Sequence, residues 1–195
     1  MEITEVFYPR QRSQLRNWLK RHHSKKSEVW IRKPHKASRL PAISYDDLVE
    51  ECLCFGWIDG VVKKYDDQSS VQRISPRRKR GSTLSELNRQ RVWKLQHLGQ
   101  MTPAGIAPIT DQIGTPGDPF EIPAWISREL KRNREAWQNF QSFSIYYRRL
   151  KVFWIADTTG GKPAREVAQQ RLEHLIKMSA QGKRSGTEPL AGINL

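Results

Sequence analysis

Apolar residues first recur at helical spacing at Leu15, Trp18 and Leu19. That spacing predicts a helix with Pro9 in its first turn, ending in the polar cluster of residues 21–26. Residues 28–33 alternate and are rich in β-formers, which predicts a strand. Residues 34–43 are polar and contain proline, so a loop follows. Ser44 with Asp47 three positions on forms a capping box that opens a second helix. Its apolar stripe is Leu48, Cys52 and Phe55, and Gly56 suits the position just past its end. Residues 57–65 and 70–75 predict a hairpin, turned at residues 66–69 and closed by Pro76. A basic loop over residues 77–81 then precedes a helix capped by Ser82 or Ser85, which carries Leu87, Val92, Leu95 and Leu98 and stops at Gly99. Thr102 and Pro103 start another helix, which Pro108 ends or kinks early.

Residues 114–119 form a glycine- and proline-containing break. Beyond it the pattern is helical throughout. One helix starts at Pro123 with Trp125, Ile126 and Leu130. A second runs through Trp137 and Phe140 to Phe143. A third, from about Ser144 to Ala156, carries Tyr146, Tyr147, Leu150, Phe153 and Trp154, with its tyrosines partly inward and Arg148 and Arg149 outward. After Gly160 and Gly161, Pro163 begins a last helix with Val167, Leu172, Leu175 and Ile176. The predicted fold is α+β: a small antiparallel sheet of one strand plus a hairpin, packed by helices, with a helical C-terminal subdomain. The predicted division is an α+β core over residues 1–113, a helical subdomain over 120–182 packed on it, and a loose tail over 183–195.

Composition narrows the function classes. The 195-residue chain carries 34 Lys and Arg against 20 Asp and Glu, a net charge of +14. That balance favours acidic partners, either an anionic small molecule or an acidic macromolecule, nucleic acid included. The two cysteines, Cys52 and Cys54, have neither the CxxC nor a zinc spacing, and they read as small packing residues in a reducing compartment. No signal peptide is visible and no run approaches the ~18 apolar residues of a membrane span, so a cytoplasmic location is expected. The five histidines form no metal spacing. No GxSxG, P-loop or GxGxxG sequence occurs, so no catalytic residue and no cofactor is expected. Trp57 reads as core.

The richest stretch runs from Gly56 to Asn88. Arg77, Arg78, Lys79 and Arg80 are consecutive cations placed just before a helix start, where free N–H groups also favour negative charge. Ser82, Ser85 and Asn88 add neutral donors. Together these have the chemistry of a phosphate or carboxylate site, in which arginine offers bidentate geometry. Asp59 is an acid inside an otherwise apolar strand. It is expected to orient Arg77 or Arg78, with Gly60 marking a bulge or a close backbone approach.

The segment Cys54-Phe55-Gly56-Trp57-Ile58-Asp59-Gly60, the run Pro76-Arg77-Arg78 with Ser82, Ser85 and Asn88, and the segment Gly99-Gln100-Met101-Thr102-Pro103-Ala104-Gly105 occur in that order. In order and spacing they resemble the YdeI/OmpD-associated, or bacteriocin-protection, family. The resemblance covers residues 18–113 well and the C-terminal helices more loosely. Leu84 stands where that family has a tryptophan. Ala156 to Gly161 with Arg165 replaces a regular pattern in the C-terminal helices, and Pro108 interrupts a region that is usually regular helix. The resemblance implies a stress or bacteriocin-protection role and supplies no catalytic residue set. An enzyme acting on a phosphorylated or carboxylated metabolite, with Asp59 as acid or base, and a general nucleic-acid binder are the alternatives.

Overall fold

A computed structural model describes residues 2–78, 82–156 and 165–193. Lys79, Arg80 and Gly81 of the basic loop, and the helix start at Pro163 after Gly160 and Gly161, lie outside the described residues. The chain divides into two compact units. One comprises Met1–Leu84 and Arg91–Ile113, the other Ser85–Gln90 and Gly114–Leu195.

The first unit is built on a four-stranded mixed sheet in the order β1-β2-β4-β3: β1 (Val6–Phe7), β2 (Val29–Pro34), β3 (Trp57–Lys64) and β4 (Ser69–Pro76). The hairpin and the single strand form as their alternation predicts. The sheet is nevertheless not purely antiparallel, because β1 pairs parallel to β2, Val6 opposite Trp30 and Phe7 opposite Ile31. A two-residue strand has no alternation to read, so the sequence pattern is silent about it. β4 is central, pairing antiparallel with β2 and β3. The register of β3 against β4 shifts between Asp59 and Val62, the bulge that Gly60 signals. A Cβ at Gly60 would meet only ordinary contact, so the glycine serves the bulge and not a close approach.

Helix α1 (Arg12–His22) buries Leu15, Trp18 and Leu19, as its spacing requires. It starts three residues after Pro9. Gln11 is extended and offers no side-chain cap, and the Gln14 side chain reaches back to the Arg10 N–H instead. Helix α2 (Tyr45–Cys54) has the expected cap: the Asp47 N–H donates to Ser44 Oγ at 3.0 Å, and the Ser44 hydroxyl donates to Asp47 at 2.7 Å. Trp57 is core, packed edge-on to Trp18, with its indole N–H donating to the His23 carbonyl. Helix α3 (Glu86–His97) follows, and the Asn88 N–H donates to Ser85 Oγ at its start. The short α4 (Pro103–Ile106) is capped by Thr102 and cut short before Pro108, and α5 (Thr110–Ile113) closes this unit.

The second unit contains α6 (Ala124–Arg132), α7 (Arg134–Ser142), α8 (Ile145–Ala156) and α9 (Arg165–Ala180). Its core gathers Ile126, Leu130, Phe140, Tyr147, Val152, Ile155, Leu172 and Leu175. Tyr147 turns inward as expected. Arg149 does not turn outward: its side chain is only 11% exposed and pairs with the buried Glu86 at 3.0 Å. A charge-blind periodicity cannot anticipate a buried acid on another segment. Among its described residues the aperiodic segment after Gly182 forms no helix, yet its Ser185 N–H donates to the Tyr147 hydroxyl and its Leu190 is buried.

Candidate functional site

The hairpin sets the site. Trp57 pairs with Pro76, and the Arg77 N–H donates to the Gly56 carbonyl at 2.8 Å, so Arg77 extends the ladder by one residue. This turns its side chain inward, and the residue is 7% exposed. Burial pushes the guanidinium below its ordinary range, and the Asp59 and Cys52 side chains pull it partly back. Among the described residues no carboxylate lies within ion-pair distance of it. Its hydrogen-bond partner is the Ser82 hydroxyl, at 2.6 Å. Ser82 is itself held from behind: the Gln112 amide donates to the Ser82 carbonyl at 3.2 Å and accepts from the Leu84 N–H at 2.6 Å. Leu84 is buried and serves as a packing residue here.

Asp59 is not salt-bridged to an arginine. Its Oδ2 accepts from the Tyr45 hydroxyl and from Gln72 Nε2, both at 2.9 Å, and it acts on Arg77 through space. Gln72 Oε1 accepts from Lys33 Nζ at 2.9 Å, and that ammonium lies over the Tyr45 ring. Partial burial, reinforced by Asp59, pushes Tyr45 up to about 12. Burial lowers Lys33, with Asp59 opposing. Tyr45, Gln72 and Lys33 are absent from the sequence reading. Lys33 and Gln72 are diagonal neighbours across β2 and β4, because Ile31 is the residue opposite Gln72. Aligning the strands in register would have found them.

Of the remaining expected residues, Arg78 is exposed. Ser85 acts as the cap of α3, with Asn88 one turn on, both in the second unit. The structure therefore brings together Asp59, Arg77 and Ser82 in the first unit, with Tyr45, Gln72 and Lys33 beside them.

Two of the three linked sequence segments meet backbone to backbone. A Cβ on Gly56, at φ +71, would lie 2.3 Å from the Ala104 carbonyl oxygen, and one on Gly105 would lie 2.3 Å from that of Cys54. The Thr102 hydroxyl also donates to the Cys54 carbonyl, at 2.6 Å. This contact holds the start of β3, and with it Arg77, in place.

Cys52 and Cys54 are buried free thiols. Burial pushes Cys54 up to about 11, and Cys52 rises as well. A thiol-specific disulfide reagent at pH 8 is expected to label neither in the native protein and both after denaturation. Prompt labelling of either would contradict the packing role. Because both folded thiols prefer the neutral form, their contribution to stability is present below about pH 9 and declines as pH rises toward 11.

Residues 7–108, just over half of the chain, match the family model described as a domain of unknown function (DUF8412). The chain belongs to this family. Residues 119–182 match the model described as Bacteriocin-protection, YdeI or OmpD-Associated, the family that the motifs resemble. The match lies in the helical C-terminal part. The motif-bearing residues fall instead within the DUF8412 match, the reverse of the coverage expected from the motifs. No curated protein and no solved structure matches the chain. Among the described residues, no helix of this DUF8412 protein is long and apolar enough to cross a membrane.

Proposed function

We propose that the DUF8412 part of this chain binds an anionic ligand, a phosphate or a carboxylate, at Arg77, and acts in the cytoplasm in a stress or bacteriocin-protection role. The observation that supports this most is a buried guanidinium with a hydroxyl for a partner and, among the described residues, no carboxylate at ion-pair distance. A buried cation in that state is costly, and an anion arriving with bidentate geometry relieves the cost. Lys33, also desolvated, adds positive potential nearby.

The test is calorimetric titration with inorganic phosphate and acetate, paired with thermal melts. The wild type is expected to gain stability with ligand, by about 2.7 kcal/mol at a hundredfold excess over Kd. Arg77→Gln is expected to lose the gain. Equal response of the two proteins sinks the proposal.

The enzyme alternative finds support in the chain Tyr45–Asp59–Gln72–Lys33, which holds a proton on the tyrosine next to a carboxylate. The nucleic-acid alternative is weaker, since Arg77 is buried and Arg149 is paired with Glu86.

A further inference from the structure

Lysine has hydrogen-bond donors only, so Lys33 obliges Gln72 to present its carbonyl oxygen to Nζ and its amide hydrogens to Asp59. Tyr45 remains protonated well above neutral pH and therefore donates to Asp59 as well. Both donations end on Oδ2. Oδ1 accepts from no described residue, and it is not among the buried atoms lacking a partner, so it keeps access to solvent. Among the described residues, Arg77 thus has no carboxylate at ion-pair distance, and Asp59 Oδ1 has no donor. A bare anion placed on Arg77 would be repelled by Asp59. A ligand carrying an ammonium group would be repelled by Lys33 and Arg77. A neutral donor attached to an anion satisfies all three.

We propose that the ligand is a hydroxylated anion, a phosphate ester or carboxylate with a hydroxyl group, whose charge sits on Arg77 and whose O–H donates to Asp59 Oδ1. This rests on the anion-binding reading of Arg77. Asp59 is then the specificity-determining residue, and Tyr45 and Gln72 position it by occupying its other oxygen.

The experiment compares matched pairs by isothermal titration at constant ionic strength: methyl phosphate against glycerol phosphate and ribose 5-phosphate, and acetate against glycolate. In the wild-type chain at least one hydroxylated member is expected to bind about tenfold tighter than its partner, the size of one hydrogen bond to a charged group. Asp59→Ala is expected to abolish the ratio while leaving methyl phosphate bound. Tyr45→Phe, which removes one of the two donors that hold Asp59 through Oδ2 and leaves Gln72 in place, is expected to lower the ratio without abolishing it. Equal binding within every pair, or a ratio that survives Asp59→Ala, overturns this inference and leaves the anion reading standing. No binding by any probe overturns the anion reading itself.

Discussion

Replacing Glu51 by alanine lowers the stability of the first unit by about 3 kcal/mol, the largest loss expected from removing a single side chain's charge. Glu51 is fully buried and carries two arginines, Arg12 at 2.6 Å and Arg16 at 2.9 Å. Arg12 also reaches Glu50 and Asp47, and Lys94 reaches Glu50, so α1, α2 and α3 share one network. Burial by itself would lower Arg12, but the hydrogen bonds from it to Glu51 and Glu50 outweigh burial and raise it. Without Glu51, Arg12 keeps two acids, whereas Arg16 keeps neutral contacts such as the Gln100 carbonyl and the Phe55 ring. Both arginines are about 30% exposed, which places the cost at the low end of the range for a broken buried pair. Urea denaturation measures it. The exposed pair Lys64–Asp67 is the control, expected to contribute under about 1 kcal/mol. A loss for Glu51→Ala no larger than that of the control contradicts the network's role.

Gly105→Ala is expected to cost about 3 kcal/mol or more, at the upper end for overpacking. The added methyl would meet the carbonyl oxygens of Cys54 and Leu53 at 2.3 and 2.6 Å, and both are backbone atoms that no rotamer change can move. Relief requires separating α4 from the end of α2. Gly99→Ala is the comparison: it has a left-handed φ of +63 and nothing within 4 Å, so it suffers backbone strain alone, about 1–2 kcal/mol. Thermal melts of the two variants separate crowding from strain. Similar melting temperatures would show that crowding at the α2–α4 approach costs no more than the backbone strain at Gly99. Because this contact also fixes Gly56, Gly105→Ala is expected to weaken any ligand bound at Arg77.

Much of the first unit was legible because its signals are local. Ser44 with Asp47, Thr102 with Pro103, and the alternation of the hairpin each declare themselves within a few residues. What was not legible is pairing between distant segments. β1 is two residues long and declares nothing. The link from Arg12 and Arg16 to Glu50 and Glu51 joins two helices whose spacing in sequence says nothing of their faces. Asp59 was visible as an acid out of place, but its partners are Tyr45 and Gln72, known only once the register is known. Arg77 was visible as one of four consecutive cations with the chemistry of an anion site, but nothing local marks it as the buried one: an extra ladder hydrogen bond, to the Gly56 carbonyl, turns it into the interior.

The bulge between Asp59 and Val62 has a consequence for how the chain behaves in a crowded solution. β3 is an edge strand, and Val61 and Val62 on it are exposed. A straight, apolar edge is a template on which another chain can add its own strand, the first step of aggregation. Here the ladder is interrupted at that point, and Lys63 and Lys64 follow at once. An incoming strand meets a break in register and then two positive charges. The irregularity that follows Asp59 also makes the open side of the sheet a poor seed.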